Sequence, residues 1–125
     1  MILYHATFRK RLKSIKESGL GAKQMKNWDI SENGVVYFAA DPYAAESFCE
    51  CAENVSESVF DSGIVVLAVD SRVLNNKNIK RDGNIHDETF SFIYKGTIDP
   101  RLLYVVCNGE IVGKLMDMKR VPSHS

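Results

Sequence analysis

The stretch Gly34-Val35-Val36-Tyr37-Phe38-Ala39-Ala40-Asp41-Pro42-Tyr43-Ala44-Ala45-Glu46-Ser47-Phe48 decides the fold. β-Branched and aromatic residues fill its first half, which reads as a strand ending at Ala39 or Ala40. Asp41 is then a suitable N-cap, and Pro42 suits the first helical position, where its missing N–H costs nothing. The pattern predicts strand, tight turn and helix, with Tyr37 near the strand's end and Phe48 about two turns into the helix. Such a junction can hold two aromatic rings around one small planar ligand.

The rest of the chain supplies one ordinary domain around that junction. Its 125 residues are 45% hydrophobic and 26% charged, which suits a globular protein and argues against disorder. The formal net charge is +0, so bulk electrostatics do not call for a nucleic-acid or membrane partner. The charges are nevertheless segregated. Residues 1–27 carry Arg9, Lys10, Arg11, Lys13, Lys16, Lys23 and Lys26 against Glu17 alone, while residues 28–70 carry acidic side chains and no Lys or Arg. This reads either as the wet faces of two helices that attract each other, or as a molecule with a basic and an acidic face. Cys49, Cys51 and Cys107 show no framework spacing, and Cys49 and Cys51 would stand about 200° apart on a helix, so they could not share a metal there. No apolar run approaches the roughly 20 residues of a membrane span. The expectation is a cytoplasmic protein with free thiols, no metal and no membrane contact.

Before the junction, Ile2-Leu3-Tyr4-His5 reads as a first strand. Thr7 is then placed to cap a helix from about Phe8 to Ser18, with Phe8, Leu12 and Ile15 on its apolar face and a basic opposite face. Gly19 and Gly21 stop it. Residues 22–33 read as a loop around Trp28. The second helix is expected over Pro42 to about Asn54, with Ala44, Ala45, Phe48, Cys49, Ala52 and Val55 inward and Glu46, Glu50 and Glu53 outward. Residues 56–63 read as an acidic, Ser-rich loop. Gly63–Asp70 is an unbroken apolar run that reads as a central strand. Residues 71–88 read as irregular; Asp82, Asn84, His86, Asp87 and Glu88 have metal-like polarity there, but not the spacing of a calcium loop. Thr89–Lys95 alternates as a strand, as do Leu102–Val106 and Glu110–Met116, the last two joined by an Asn108-Gly109 type I′ turn. The count is two helices near the N-terminus and five or six strands. This makes an α+β domain over residues 1–121, with a frayed tail at 122–125.

Taken singly, Tyr37 and Phe48 read as core and His5 as a satisfied structural histidine. Taken in order, the blocks resemble a family. Leu3-Tyr4-His5-Ala6-Thr7, a helix and Gly19-Leu20 look like the first block of the ADP-ribosyltransferase fold. Gly34-Val35-Val36-Tyr37-Phe38-Ala39 is similar to the G-x-x-Y-F-A block of its diphtheria-toxin and poly(ADP-ribose) polymerase branch. Val66–Asp70 and Ile98-Asp99-Pro100-Arg101-Leu102 are similar to later strands of the RNA 2′-phosphotransferases of that superfamily. The resemblance implies a split, mostly antiparallel sheet and an enzyme that uses NAD as substrate, cleaves its nicotinamide–ribose bond and passes ADP-ribose to a protein or nucleic-acid acceptor.

It also implies roles. His5 would hold the ribose on the nicotinamide side, the Ala6 backbone the nicotinamide amide, and Tyr37 and Phe48 the faces of the ring. Thr7 and Phe38 belong to the same two blocks. Ala6 stands where the family commonly has glycine, and Ala45 where a serine usually supports the amide. Ser91 stands where the branch carries its catalytic glutamate; Glu88, three residues earlier, is the nearest carboxylate. The 2′-phosphotransferases work without that glutamate, because a substrate phosphate does part of its task. The resemblance therefore leaves open an active transferase, a 2′-phosphotransferase-like enzyme and an NAD-binding module with little or no turnover.

Overall fold

The computed structural model describes residues 1–21, 35–51, 55–81 and 91–124. Its frame is a seven-stranded sheet made of β1 (Ile2–Phe8), β2 (Val35–Ala39), β3 (Ile64–Asp70), β4 (Ile79–Arg81), β5 (Ser91–Lys95), β6 (Tyr104–Cys107) and β7 (Glu110–Lys114). The order across the sheet is β4-β5-β2-β1-β3-β6-β7, and every neighbouring pair is antiparallel. Among the described residues three α-helices accompany it: α1 (Leu12–Ser18), α2 (Pro42–Glu50) and the single turn α3 (Glu57–Phe60). The α+β class follows directly.

The sheet is pinched at its middle. β1 and β3 are registered along all of β1, from Ile2↔Asp70 to Phe8↔Ile64. β2 and β5 are registered from Val35↔Lys95 to Ala39↔Ser91. Between β1 and β2 the only registered pair among the described residues is Tyr4↔Ala39. Past it the two strands part, leaving the edge of β1 at His5 and Ala6 opposite Tyr37 without a backbone ladder.

Each face of the sheet has its own core. Leu3, Val36, Phe38, Leu67, Val69 and Tyr94 pack on one side with Leu12 and Ile15 of α1. Ala6, Phe8, Ala39, Val66 and Ala68 pack on the other with Ala45 and Cys49 of α2. The small residues of the second cluster let α2 lie close to the strands. As the sequence requires, Asp41 caps α2, its side chain accepting from the Tyr43 N–H at 3.0 Å, with Pro42 in the first turn.

Several expectations are corrected. The chain stays extended through Thr7 and Phe8, so Thr7 is a strand residue and the first helical turn starts after Phe8. Thr7 pairs with Val65 and is fully buried, because registry with the central strand outweighs its capping tendency. The helical turns begin at Arg9–Arg11 as a 3-10 segment and continue as α1. A short outer strand, β4, lies in the stretch expected to be irregular, and α3 occupies part of the acidic loop. The strand expected from Leu102 begins at Tyr104, since Pro100–Leu102 forms a 3-10 turn, and the strand expected to reach Met116 yields to another at Leu115–Asp117. α2 is described only to Glu50, and residues 52–54 lie outside the described residues. So do Trp28 and the polar run from Asp82 to Glu88.

The tail is the largest correction. Pro122–His124 does not fray: the His124 side chain is fully buried, and its backbone N–H donates to the Ile64 carbonyl at 3.1 Å. Asn108, at φ 51, and Gly109, at φ 83, form the β6–β7 turn with both central residues in the positive-φ region, as a type I′ turn demands. The Asn108 N–H then donates to the His124 carbonyl at 2.7 Å, docking tail to turn. Gly19 and Gly21 flank the bridge Leu20↔Ile98, and a Cβ on Gly21 would stand 2.5 Å from the Gly96 carbonyl oxygen, which restricts that place to glycine.

Two surface turns share one local design. Asp70 and Asp99 each cap a 3-10 turn and each receive both the backbone N–H and the guanidinium of the arginine two residues on, Arg72 and Arg101. Side-chain and backbone hydrogen bonds from Arg72 lower the Asp70 carboxyl to about 2, and those from Arg101 do the same for Asp99. Both folded values lie below the unfolded value near 4. Whatever stability these contacts add is present above about pH 4 and is lost as the pH falls through about 2. Carboxyl-carbon NMR titration is expected to show both midpoints near 2, with Arg72→Gln returning Asp70 alone toward the ordinary range. An unchanged Asp70 midpoint in that variant would remove Arg72 as the cause.

Candidate functional site

The pinch in the sheet opens into a recess. It offers about 130 Å³ and is lined by Tyr4, His5 and Ala6 of β1, Tyr37 and Ala39 of β2, and Ala45, Phe48 and Cys49 of α2. An apolar cavity of roughly 150 Å³ takes up a benzene ring. The recess is thus sized for one planar six-membered ring and not for a whole dinucleotide. Its walls come from three elements because β1 and β2 diverge after Tyr4↔Ala39 while α2 closes one side.

His5 spans the gap. Its Nδ1 lies 2.8 Å from the Tyr37 carbonyl oxygen, which can only accept, so Nδ1 carries the proton of this bond. In the neutral ring Nε2 is therefore the acceptor nitrogen. The imidazole is 5% exposed and meets Phe38 edge to face, with ring centroids 5.9 Å apart. A side chain thus links the strands where the backbone ladder stops, and His5 and Tyr37 are positioned by each other.

Of the residues expected at a site, the recess brings together His5, Ala6, Tyr37, Ala45 and Phe48. Tyr37 is half-buried. Phe48 is not the inward core residue of the helix pattern: it is 36% exposed, where a ring can cover the recess from outside. Thr7 and Phe38 lie outside the lining. Thr7 is fully buried, and Phe38 packs in the core on the opposite face. Ser91 is buried and registered with Ala39, which is in turn registered with Tyr4, so the three form one row across β5, β2 and β1. That row puts Ser91 on the same side of the sheet as Ala39, one strand beyond the recess. Glu88 is outside the described residues.

Compared with protein-family models, with curated proteins and with solved structures, the chain matches none.

Tyr4, Ala39 and Cys49 also line the recess. Alternation along the strands could have found the first two, because Tyr4 and Ala39 share the α2-facing side with Ala6 and Tyr37. Cys49 follows from its place one residue beyond Phe48 on α2. Among the described residues no group of three or more His, Cys, Asp and Glu side chains could hold a metal ion, and no helix is long and apolar enough to cross a membrane. The recess can bind a ring: it offers aromatic side chains, a fixed imidazole and a strand edge, and its described lining residues include no carboxylate.

Proposed function

We propose that the recess holds the nicotinamide ring of NAD and that the protein is an ADP-ribosyltransferase-like enzyme of the split-sheet type. One observation carries this reading: His5, Ala6, Tyr37, Ala45 and Phe48, distant in sequence and assigned to one pocket by resemblance, line a single ring-sized recess. The near-separation of the sheet at β1 and β2 agrees with it. In the reaction, the bond between the ribose C1′ and the nicotinamide nitrogen breaks, and its electron pair leaves with the neutral nicotinamide. The oxocarbenium-like ribose is then captured by a nucleophilic oxygen or nitrogen of the acceptor, which gives up a proton. Little covalent chemistry falls to the protein, as in glycoside cleavage. Tyr37 and Phe48 clamp the leaving ring, Ala6 presents its backbone to the amide, and His5, held by the Tyr37 carbonyl, orients the ribose.

A second reading is favoured by Ser91. A buried serine stands where the related branch carries its glutamate, so the same recess can serve a module that holds NAD with weak or no turnover. Nicotinamide release, followed by mass spectrometry with and without protein, RNA and DNA acceptors, separates the two. Release that is abolished by Tyr37→Ala supports the transferase. Saturable NAD binding without release over hours supports the module, and no binding of NAD or nicotinamide overturns both. If turnover is found, Glu88→Gln and Ser91→Ala assign it: release slowed at least tenfold in one variant names the group that assists, and unchanged release in both removes both from the mechanism.

A further inference from the structure

We infer that a second surface, on the opposite side of the sheet from the recess, docks the phosphodiester backbone of a single-stranded nucleic acid. A groove of about 500 Å³ runs between α1 and the segment before the tail, lined by Arg9, Leu12, Lys13, Lys16, Glu17, Lys119, Arg120 and Val121. Leu12 and Val121 belong to the core that packs under α1, whereas the recess belongs to the α2 side. The groove therefore stands apart from the ring site, and the inference does not depend on what that site does.

Five cations against one glutamate line this groove in a chain whose formal net charge is +0. The way two of them are held matters more than their number. The Arg9 guanidinium donates to the Val121 carbonyl and, at 2.9 Å, to the Ser123 hydroxyl; Lys16 Nζ donates to the Met118 carbonyl at 2.6 Å. These acceptors are neutral, so both side chains are fixed in place while keeping their full charge. Elsewhere the structure does the reverse: Arg72 and Arg101 are each neutralised by a carboxylate, at 2.6 and 2.7 Å. Among the described residues no carboxylate pairs with any of the five groove cations within 4.0 Å.

The layout favours a linear polyanion. Lys13 and Lys16 stand about one turn apart on α1, roughly 4.5 Å of rise, and Arg9 precedes them in the 3-10 segment on the same wall. Lys119 and Arg120 face them from the other. Such a ladder matches an anion whose charges repeat along a chain. A membrane surface is a poorer match, since interfacial binding combines cations with exposed apolar side chains. Among the described residues, none of the exposed large hydrophobic ones lines this groove.

The test is fluorescence anisotropy of the full chain with a labelled 20-nucleotide single strand, as RNA and as DNA, over a salt series. The expected Kd is roughly 10⁻⁶–10⁻⁴ M at moderate salt, and about four phosphate contacts would make log K fall with log salt at a slope near −3. Charge reversal at the exposed pair Lys13→Glu and Arg120→Glu is expected to weaken binding about tenfold or more, with the thermal transition retained. Tyr37→Ala is expected to leave it unchanged, because that residue belongs to the other face. Absence of binding, a salt-independent Kd, or equal affinity in the charge-reversed variant would overturn the inference. So would binding of a poly-glutamate peptide or of anionic lipid vesicles as tight as that of the oligonucleotide.

Discussion

Tyr37→Ala is expected to abolish binding of both NAD and nicotinamide, and Tyr37→Phe to keep it within a few-fold. Tyr37 lines the recess and is half-buried, so part of its side chain is open to a ligand. A flat aromatic ligand held between two rings gains from both faces, about 0.5–1.5 kcal/mol per stacked pair beyond the area buried. Truncation removes one face, opens the recess to water and costs about 2–4 kcal/mol of stability through the void it leaves. The phenylalanine variant keeps ring, volume and the main-chain carbonyl that holds His5 Nδ1 at 2.8 Å. Calorimetric titration with nicotinamide and a thermal-shift series with NAD measure the contrast. A phenylalanine variant that loses the ligand as completely as the alanine variant would move the function from the ring face to the hydroxyl.

That contrast isolates one part of the recess from the rest. His5 is held by the backbone carbonyl of Tyr37, so a change of the Tyr37 side chain leaves that bond in place, whereas a change of His5 removes it. Phe48 sits on α2, and its position depends on how α2 is seated. The recess is thus only as well formed as the contact between α2 and the strands, which small residues such as Ala6, Ala39, Ala45 and Ala68 permit. A larger side chain at Ala68 would disturb the seat of the helix, and one at Ala6, Ala39 or Ala45, which line the recess, would fill the space for the ring.

Much of this was legible in the sequence, for local reasons. Val35–Ala39 is β-prone, and Asp41-Pro42 starts a helix wherever it is placed, so the strand–turn–helix junction survives in the fold. Asn108-Gly109 can hardly form anything but a type I′ turn, and the apolar run from Ile64 could only be a central strand. What was not legible depends on long-range partners. Thr7 reads as a cap until Val65 pairs with it. Phe48 reads as core because helical periodicity cannot tell a packed face from the rim of a recess. The pinch between β1 and β2 has no sequence signature at all, since it arises from where registry stops. Glu46 read as a solvated residue on the outer face of α2, and the tail as frayed. Those two misreadings are one, because each residue is the other's partner.

The remaining large effect comes from that partnership. His124→Ala is expected to destabilise the protein by about 2–4 kcal/mol, as much as a core truncation, although the residue is the second from the chain's end. The side chain is fully buried. Its Nε2 accepts from the Gly109 N–H at 3.0 Å, so Nε2 bears no proton, and Nδ1–H donates to Glu46 Oε2 at 2.8 Å. The contact with Glu46 is thus a charge-assisted hydrogen bond from a neutral ring rather than an ion pair of two charges. Tyr43 packs edge to face against the imidazole at 4.9 Å. One ring therefore ties α2, through Glu46 and Tyr43, to the β6–β7 turn, through Gly109. Its removal leaves a half-buried carboxylate and a turn N–H without their partners, which costs more than the bonds themselves add. Glu46→Gln keeps an acceptor oxygen for Nδ1–H and should cost less, about 0.5–1.5 kcal/mol. Urea unfolding of Glu46→Ala, of His124→Ala and of the two combined would give the coupling between the side chains. Because α2 carries Ala45, Phe48 and Cys49, His124→Ala should also weaken nicotinamide binding several-fold at temperatures where the protein remains folded. A loss of stability below about 0.5 kcal/mol, the level of an ordinary surface change, would mean that the tail rests on α2 without holding it.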